Sequence, residues 1–219
     1  REDEFKLNYG CRQLSSGVPY PVGLSALGTL MTEAVASRYR RWGVDELLDK
    51  FTDLRIIPSC DETLRVGGEL RFEVTGPDGR SIEDAYFVEF RIPPSFPLVT
   101  KCKAPTVHET GGRIPKDYHK LTDGSLCLGA PTALRLGLGG NATLLDFVER
   151  FVLPYLHGHN CFERGESLPY GELEHGKEGL RQYFATLFGV TDRDVAVEFV
   201  RLASLKKRVA NKRLCPCNR

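Results

Sequence analysis

Four prolines between residues 93 and 105 (Pro93, Pro94, Pro97 and Pro105) limit what this chain can fold into more than any other feature. Proline has no N–H to give to a helix or a ladder, and its ring clashes with the preceding helical turn. The stretch is therefore an irregular crossing, neither helix nor central strand. The segments around it read as strands. Glu69–Val74 alternates with Leu70, Phe72 and Val74 on one face, and Ala85–Ile92 alternates with Tyr86, Val88, Phe90 and Ile92 on one face. Gly76-Pro77-Asp78-Gly79 between them has the residues of a hairpin turn. Leu54–Pro58 is a shorter apolar strand, and Thr106–Glu109, just past the prolines, an edge strand with His108 exposed on it. An antiparallel meander is the economical arrangement.

Helical periodicity lies on either side. Residues 25–42 place Leu27, Leu30, Met31, Ala34, Val35 and Tyr39 at helical spacing behind Ser25 as N-cap, and a short helix follows over Asp45–Lys50. Thr143–Leu156, Glu178–Phe188 and Thr191–Val209 are amphipathic, the last with Thr191 as N-cap and a basic end at Lys206, Lys207 and Arg208. Residues 1–23 hold Gly, Pro and Ser without a period and read as an extended arm. The expected class is α+β: a four-stranded antiparallel meander, an N-terminal helix and C-terminal helices.

Composition removes several classes. A chain of 219 residues with 41% hydrophobic content suits one medium domain with appendages, or two small ones. Net charge is +1, with a pI near 7.7, so no basic field calls for nucleic acid. No run of 18 apolar residues is present to span a membrane. Arg1-Glu2-Asp3-Glu4 is charged and unlike a secretion signal. Seven irregularly spaced cysteines argue against a disulfide scaffold and for reduced thiols, which points to the cytoplasm.

One cysteine stands apart. In Tyr118-His119-Lys120-Leu121-Thr122-Asp123-Gly124-Ser125-Leu126-Cys127-Leu128-Gly129, Asp-Gly turn chemistry comes just before Cys127, and Leu126 and Leu128 anchor the backbone on both sides of it. On these residues alone, a core cysteine and a nucleophile on a rigid ledge both stand. The Gly139-Gly140 pair downstream is no phosphate loop, since no Gly-x-x-x-x-Gly-Lys-Ser/Thr pattern exists.

In this order the pieces resemble the ubiquitin-conjugating enzyme family. Tyr86–Pro97 is similar to that family's third strand running into its Pro-x-x-aromatic-Pro segment. Pro105-Thr106-Val107 is similar to the Pro-x-Val opening its fourth strand, and Asp123–Leu128 to its Asn-Gly-x-Ile-Cys-Leu segment. The resemblance covers roughly residues 45–160. The family's His-Pro-Asn tripeptide is absent; counted back from Cys127 without a gap, its asparagine falls on His119, with Tyr118 and Asp117 before it. Its Trp-Ser-Pro is replaced by the Gly-rich segment 129–141. These departures match divergent bacterial relatives, often found beside antiphage or ubiquitin-like conjugation genes, better than the eukaryotic enzymes. Gly171–Gly176 resembles a segment of those bacterial proteins, and Arg213-Leu214-Cys215-Pro216-Cys217 the start of a SEC-C zinc motif.

The resemblance implies three parts: an arm and helix over 1–44, a ubiquitin-conjugating-like catalytic domain over 45–190, and a C-terminal helix with a SEC-C-like basic tail over 191–219. It implies a transferase in which Cys127 carries a ubiquitin-like protein, or another activated C-terminus, as a thioester. Cys127 receives it from an activating enzyme and passes it to an amine on a target protein. His119 would donate to the oxyanion or deprotonate the amine. The step needs no cofactor, because ATP is consumed by the activating enzyme. A non-catalytic binding module of the same fold and a cysteine hydrolase, which needs a His–Cys hydrogen bond, are the alternatives. No metal site is assigned; Cys215 and Cys217 would be zinc ligands only if the chain continues, because structural zinc takes four. His157-Gly158-His159-Asn160-Cys161 reads as a solvated helix end, His175 as a cap or loop contact, and Glu172 and Glu174 as solvated charges.

Overall fold

The alternation read in residues 69–92 becomes two paired twelve-residue strands in the computed structural model, which describes residues 33–76, 79–99, 104–169 and 176–217. These are β2 (Leu64–Thr75) and β3 (Ser81–Ile92), flanked by β1 (Leu54–Ile57) and β4 (Thr106–Glu109). The order is β1-β2-β3-β4 and every pair is antiparallel, so the sheet is the expected meander. Thr75 pairs with Ser81, and Gly76 N–H donates to Arg80 O, which closes the hairpin; Pro77 and Asp78 lie outside the described residues.

β2 begins five residues before the expected Glu69, because Leu64 and Val66 continue the inward row across Gly67-Gly68. The glycines that interrupt the pattern are needed there. Gly68 has φ +144°, and a Cβ on it would stand 2.2 Å from the carbonyl oxygen of Asp53, where β1 begins. Leu70, Tyr86, Val88, Phe90 and Ile92 form the buried face, each contributing about 1.5–3 kcal/mol by leaving water.

Helices α1 (Glu33–Arg41) and α2 (Val44–Lys50) meet at Trp42, which is fully buried and donates from Nε1 to Phe96 O at 2.8 Å. The Pro-rich crossing is thereby fastened to the core, with the Phe96 ring edge-on to the indole. The part of the expected 25–42 helix before residue 33, and the arm 1–23, lie outside the described residues.

Downstream, Pro131–Leu138 forms α3, an element that glycine content hides: Pro131 starts it and Gly139 caps its C-terminus. The helix expected over Thr143–Leu156 starts at the Thr143–Asp146 capping box and runs on to Glu163. It comprises α4 (Leu144–Phe147), a π-helical stretch (Val148–Val152) and α5 (Leu153–Glu163). Pro154 cannot donate to the carbonyl four residues back, and the wider π turns lie immediately before it.

The chain divides into two compact units, one ending at His157 and the other starting at Gly158. In the second, α6 (Gly176–Phe188) packs on α7 (Arg193–Ser204) through the stacked rings of Phe184, Phe188 and Phe199 and the Arg181–Asp194 pair at 2.7 Å. The N-cap of α7 is Asp192, not the expected Thr191: its carboxylate accepts from the N–H groups of Asp194 and Val195. The expected single helix 191–209 breaks at Leu205-Lys206, where Ser204 Oγ donates to Arg201 O, and resumes as α8 (Lys207–Ala210). No helix among the described residues is long and apolar enough to cross a membrane.

Candidate functional site

The Asp123-Gly124 turn closes a short hairpin that carries both candidate residues. Cys127 N–H donates to His119 O at 2.8 Å, Lys120 pairs with Leu126, and Leu121 N–H donates to Ser125 O at 2.8 Å. Three residues turn the chain: Gly124 takes φ +81°, and its N–H donates to Leu121 O. The Asp123 carboxylate accepts from the N–H and hydroxyl of Ser125, and these bonds hold it below the usual carboxylate range. Ser125 is fully buried beneath the turn. The hairpin docks on the edge of the sheet, where Leu126 N–H donates to Val107 O of β4 at 2.7 Å.

Cys127 is half-buried and unbridged, between buried Leu126 and Leu128, which packs on the core. His119 stands opposite it on the last rung, as an in-phase hairpin requires. The Cys127 N–H to His119 O bond ties the two residues through their backbones. His119 has φ 36°, the one non-glycine residue with positive φ among those described, and its ring meets Tyr118 edge-on at 5.0 Å. Histidine adopts that conformation at some cost, so the surroundings must impose it.

Two side chains that periodicity cannot single out, Tyr155 and Glu109, meet this hairpin, the second through Lys120 on it. Tyr155 directs its hydroxyl at the carbonyls of Tyr118 and His119, 3.2 Å from each. Burial, reinforced by Tyr118, Cys127 and Glu109, raises its pKa far above that of an ordinary phenol, so the hydroxyl keeps its proton. Glu109 closes β4 with a buried carboxylate that accepts from Arg113 N–H at 3.1 Å and Ile114 N–H at 3.2 Å. Lys120 Nζ lies 3.6 Å from that carboxylate and donates to Ile114 O at 2.7 Å. The signal for Glu109 was present: it shares the inward side of β4 with Val107, an acidic residue at a core position.

Other expected site residues are elsewhere. His108 is half-buried rather than exposed. Burial, then the Arg91 and Lys120 cations, lower its pKa against the pull of Asp123 and Glu89. The solvated helix end expected at 157–161 is not found: α5 continues to Glu163, and His157, His159, Asn160 and Cys161 are all buried. His159 Nδ1 stands 3.9 Å from Glu163. Cys215 and Cys217 bring their sulfurs within 2.7 Å of each other. His175, Gly171–Glu174 and Cys102 lie outside the described residues. Among the described residues, no group of three or more His, Cys, Asp or Glu is placed to hold a metal ion.

No family model and no curated protein matches the chain. Two solved structures of Vps23 UEV domains, the first from yeast, are similar to it. One, in complex with a Vps27 PSDP peptide, has a TM-score of 0.35 and 17% identity, over 62% of this chain and 93% of that one. The other, in complex with ubiquitin, has a TM-score of 0.30 and 16% identity, over 60% and 96%. Scores this low leave the reading of function to the chain's own residues.

Proposed function

We propose that this protein is a ubiquitin-conjugating-like module that engages the C-terminal tail of a ubiquitin-like protein and carries it as a thioester on Cys127. The observation behind this reading is the setting of the thiol: half-buried, on the last rung of a hairpin fixed to the sheet edge, with His119 across from it. In the proposed step the Cys127 thiolate attacks the activated carboxyl carbon. A new S–C bond forms as the activating enzyme's sulfur leaves. An amine on the target then attacks the same carbon, a C–N bond forms, the Cys127 sulfur departs, and the amine's extra proton passes to solvent or to His119. His119 is assigned to the oxyanion or to that proton.

A hydrolase would need imidazole bonded to the thiol. Turnover of a preformed thioester without an activating enzyme separates that reading from the carrier. The second reading is a binding module of the same fold without thioester chemistry. The Vps23 UEV domain is recorded bound to a peptide and to ubiquitin, so this alternative sets the control.

The test is a charging reaction run on a non-reducing gel, with ATP, a ubiquitin-like protein and its activating enzyme. A thiol-sensitive shift that disappears in Cys127→Ala supports the carrier. Tail binding without a shift, while the activating enzyme charges itself, supports the binding module. Turnover of a preformed thioester with no activating enzyme supports the hydrolase.

A further inference from the structure

We propose that Tyr155 is a positioning residue for Cys127: its hydroxyl, shared between the carbonyls of Tyr118 and His119, holds His119 in the left-handed conformation from which the Cys127 amide is suspended. Three observations converge. The hydroxyl lies 3.2 Å from both carbonyls, a bifurcated donation from a single proton. His119 O is the same oxygen that accepts the Cys127 N–H at 2.8 Å, so one carbonyl ties Tyr155 to the cysteine backbone. His119 sits at φ 36°, a conformation that costs a residue with a Cβ free energy and that surrounding bonds help to hold. The Tyr155 ring meets Tyr118 edge-on at 5.8 Å, so the phenol is aimed by packing, and the carbonyls are where that packing sends it. Its raised pKa keeps the proton on the oxygen across the working range.

The consequence for chemistry rests on the reading of Cys127 as the acyl carrier; the positioning itself does not. A thiol that must meet a large carried protein and then an incoming amine gains from a backbone that does not drift. Tyr155 supplies that constraint from a helix remote in sequence and touches neither the thioester nor the amine in this scheme.

The test is Tyr155→Phe, which keeps the ring and its contact with Tyr118 and deletes only the hydroxyl. Two readouts are independent of any partner protein. The first is amide exchange at Cys127 and at Leu126, whose N–H is held by Val107 O on the sheet. The second is the rate of iodoacetamide alkylation at Cys127, followed peptide by peptide by mass spectrometry. The expected result is exchange at Cys127 faster by roughly fivefold, the loss of one ordinary hydrogen bond, with Leu126 unchanged and the alkylation rate shifted. In the same background, His119→Asn, whose side chain favours the left-handed region, recovers part of the protection, and His119→Val recovers none. Equal loosening of Leu126 and Cys127 would mean a general structural role and overturn the proposal, as would an unchanged Cys127 amide. If wild-type protein never charges but Tyr155→Phe loosens Cys127 alone, the carrier reading fails and the positioning stands. If wild-type protein charges and Tyr155→Phe changes neither amide nor alkylation, the positioning fails and the carrier reading stands.

Discussion

Replacing Glu109 by alanine removes the group that ties β4 to the backbone at 113–114 and to the Lys120 ammonium. The carboxylate is almost wholly buried, with 1% of its side chain exposed, and it accepts from the N–H groups of Arg113 and Ile114. Its loss strands two donors and leaves the Lys120 ammonium, 11% exposed, without its nearest anion. An unsatisfied buried donor costs about 1–3 kcal/mol, and breaking a buried pair by removing one partner about 3–5 kcal/mol. These costs overlap, so the expected loss for Glu109→Ala is about 3–5 kcal/mol, or roughly 10 °C in melting temperature for a chain of this size. Lys120→Met gives up the bond to Ile114 O but leaves Glu109 its two N–H partners, so it costs less. The double variant costs less than the sum. The assay is urea unfolding followed by the single tryptophan, Trp42, which is buried in the unit that holds Glu109. A loss below about 1 kcal/mol for Glu109→Ala, or strict additivity with Lys120→Met, would refute the reasoning.

Two further outcomes follow from the site. His108 has a lowered pKa, so the folded protein resists a proton that the unfolded chain accepts from about pH 6.5 downward. Stability then falls as pH drops below about 6.5, and His108→Gln flattens that slope in urea midpoints; an unchanged slope contradicts the assignment. Gly124→Ala puts a Cβ at φ +81° with nothing within 4 Å of it, so the cost is purely conformational, about 1–2 kcal/mol. Calorimetry checks it, and a stability gain would show that the turn relaxes.

Much of the sheet was readable because a period of two survives in residues that face one core. Tyr86, Val88, Phe90 and Ile92 need no tertiary knowledge to be put on one side. The Asp123-Gly124 turn was readable for the same reason, since its chemistry is local. What escaped depends on distant partners. Helix α3 hides behind its glycines. The row from His157 to Cys161 looks polar and is buried. Tyr155 counts as one more apolar position until its hydroxyl is seen to reach carbonyls more than thirty residues earlier. His119 was reached through the resemblance, as the position on which the family's asparagine falls, while its left-handed backbone is a tertiary fact.

The central claim is that the Cys127 sulfur is the atom that takes up an activated carboxyl. Cys127→Ser tests it most directly, because serine exchanges the labile thioester for an oxyester that survives reducing agent. After incubation with ATP, a ubiquitin-like protein and its activating enzyme, intact mass is read under reducing conditions. The expected result is one adduct of the carried protein's mass less one water, mapped to position 127, resistant to dithiothreitol and cleaved by hydroxide. If the activating enzyme is charged and position 127 carries no adduct in Cys127→Ser, while unsubstituted protein gives no thiol-sensitive adduct either, the claim is contradicted.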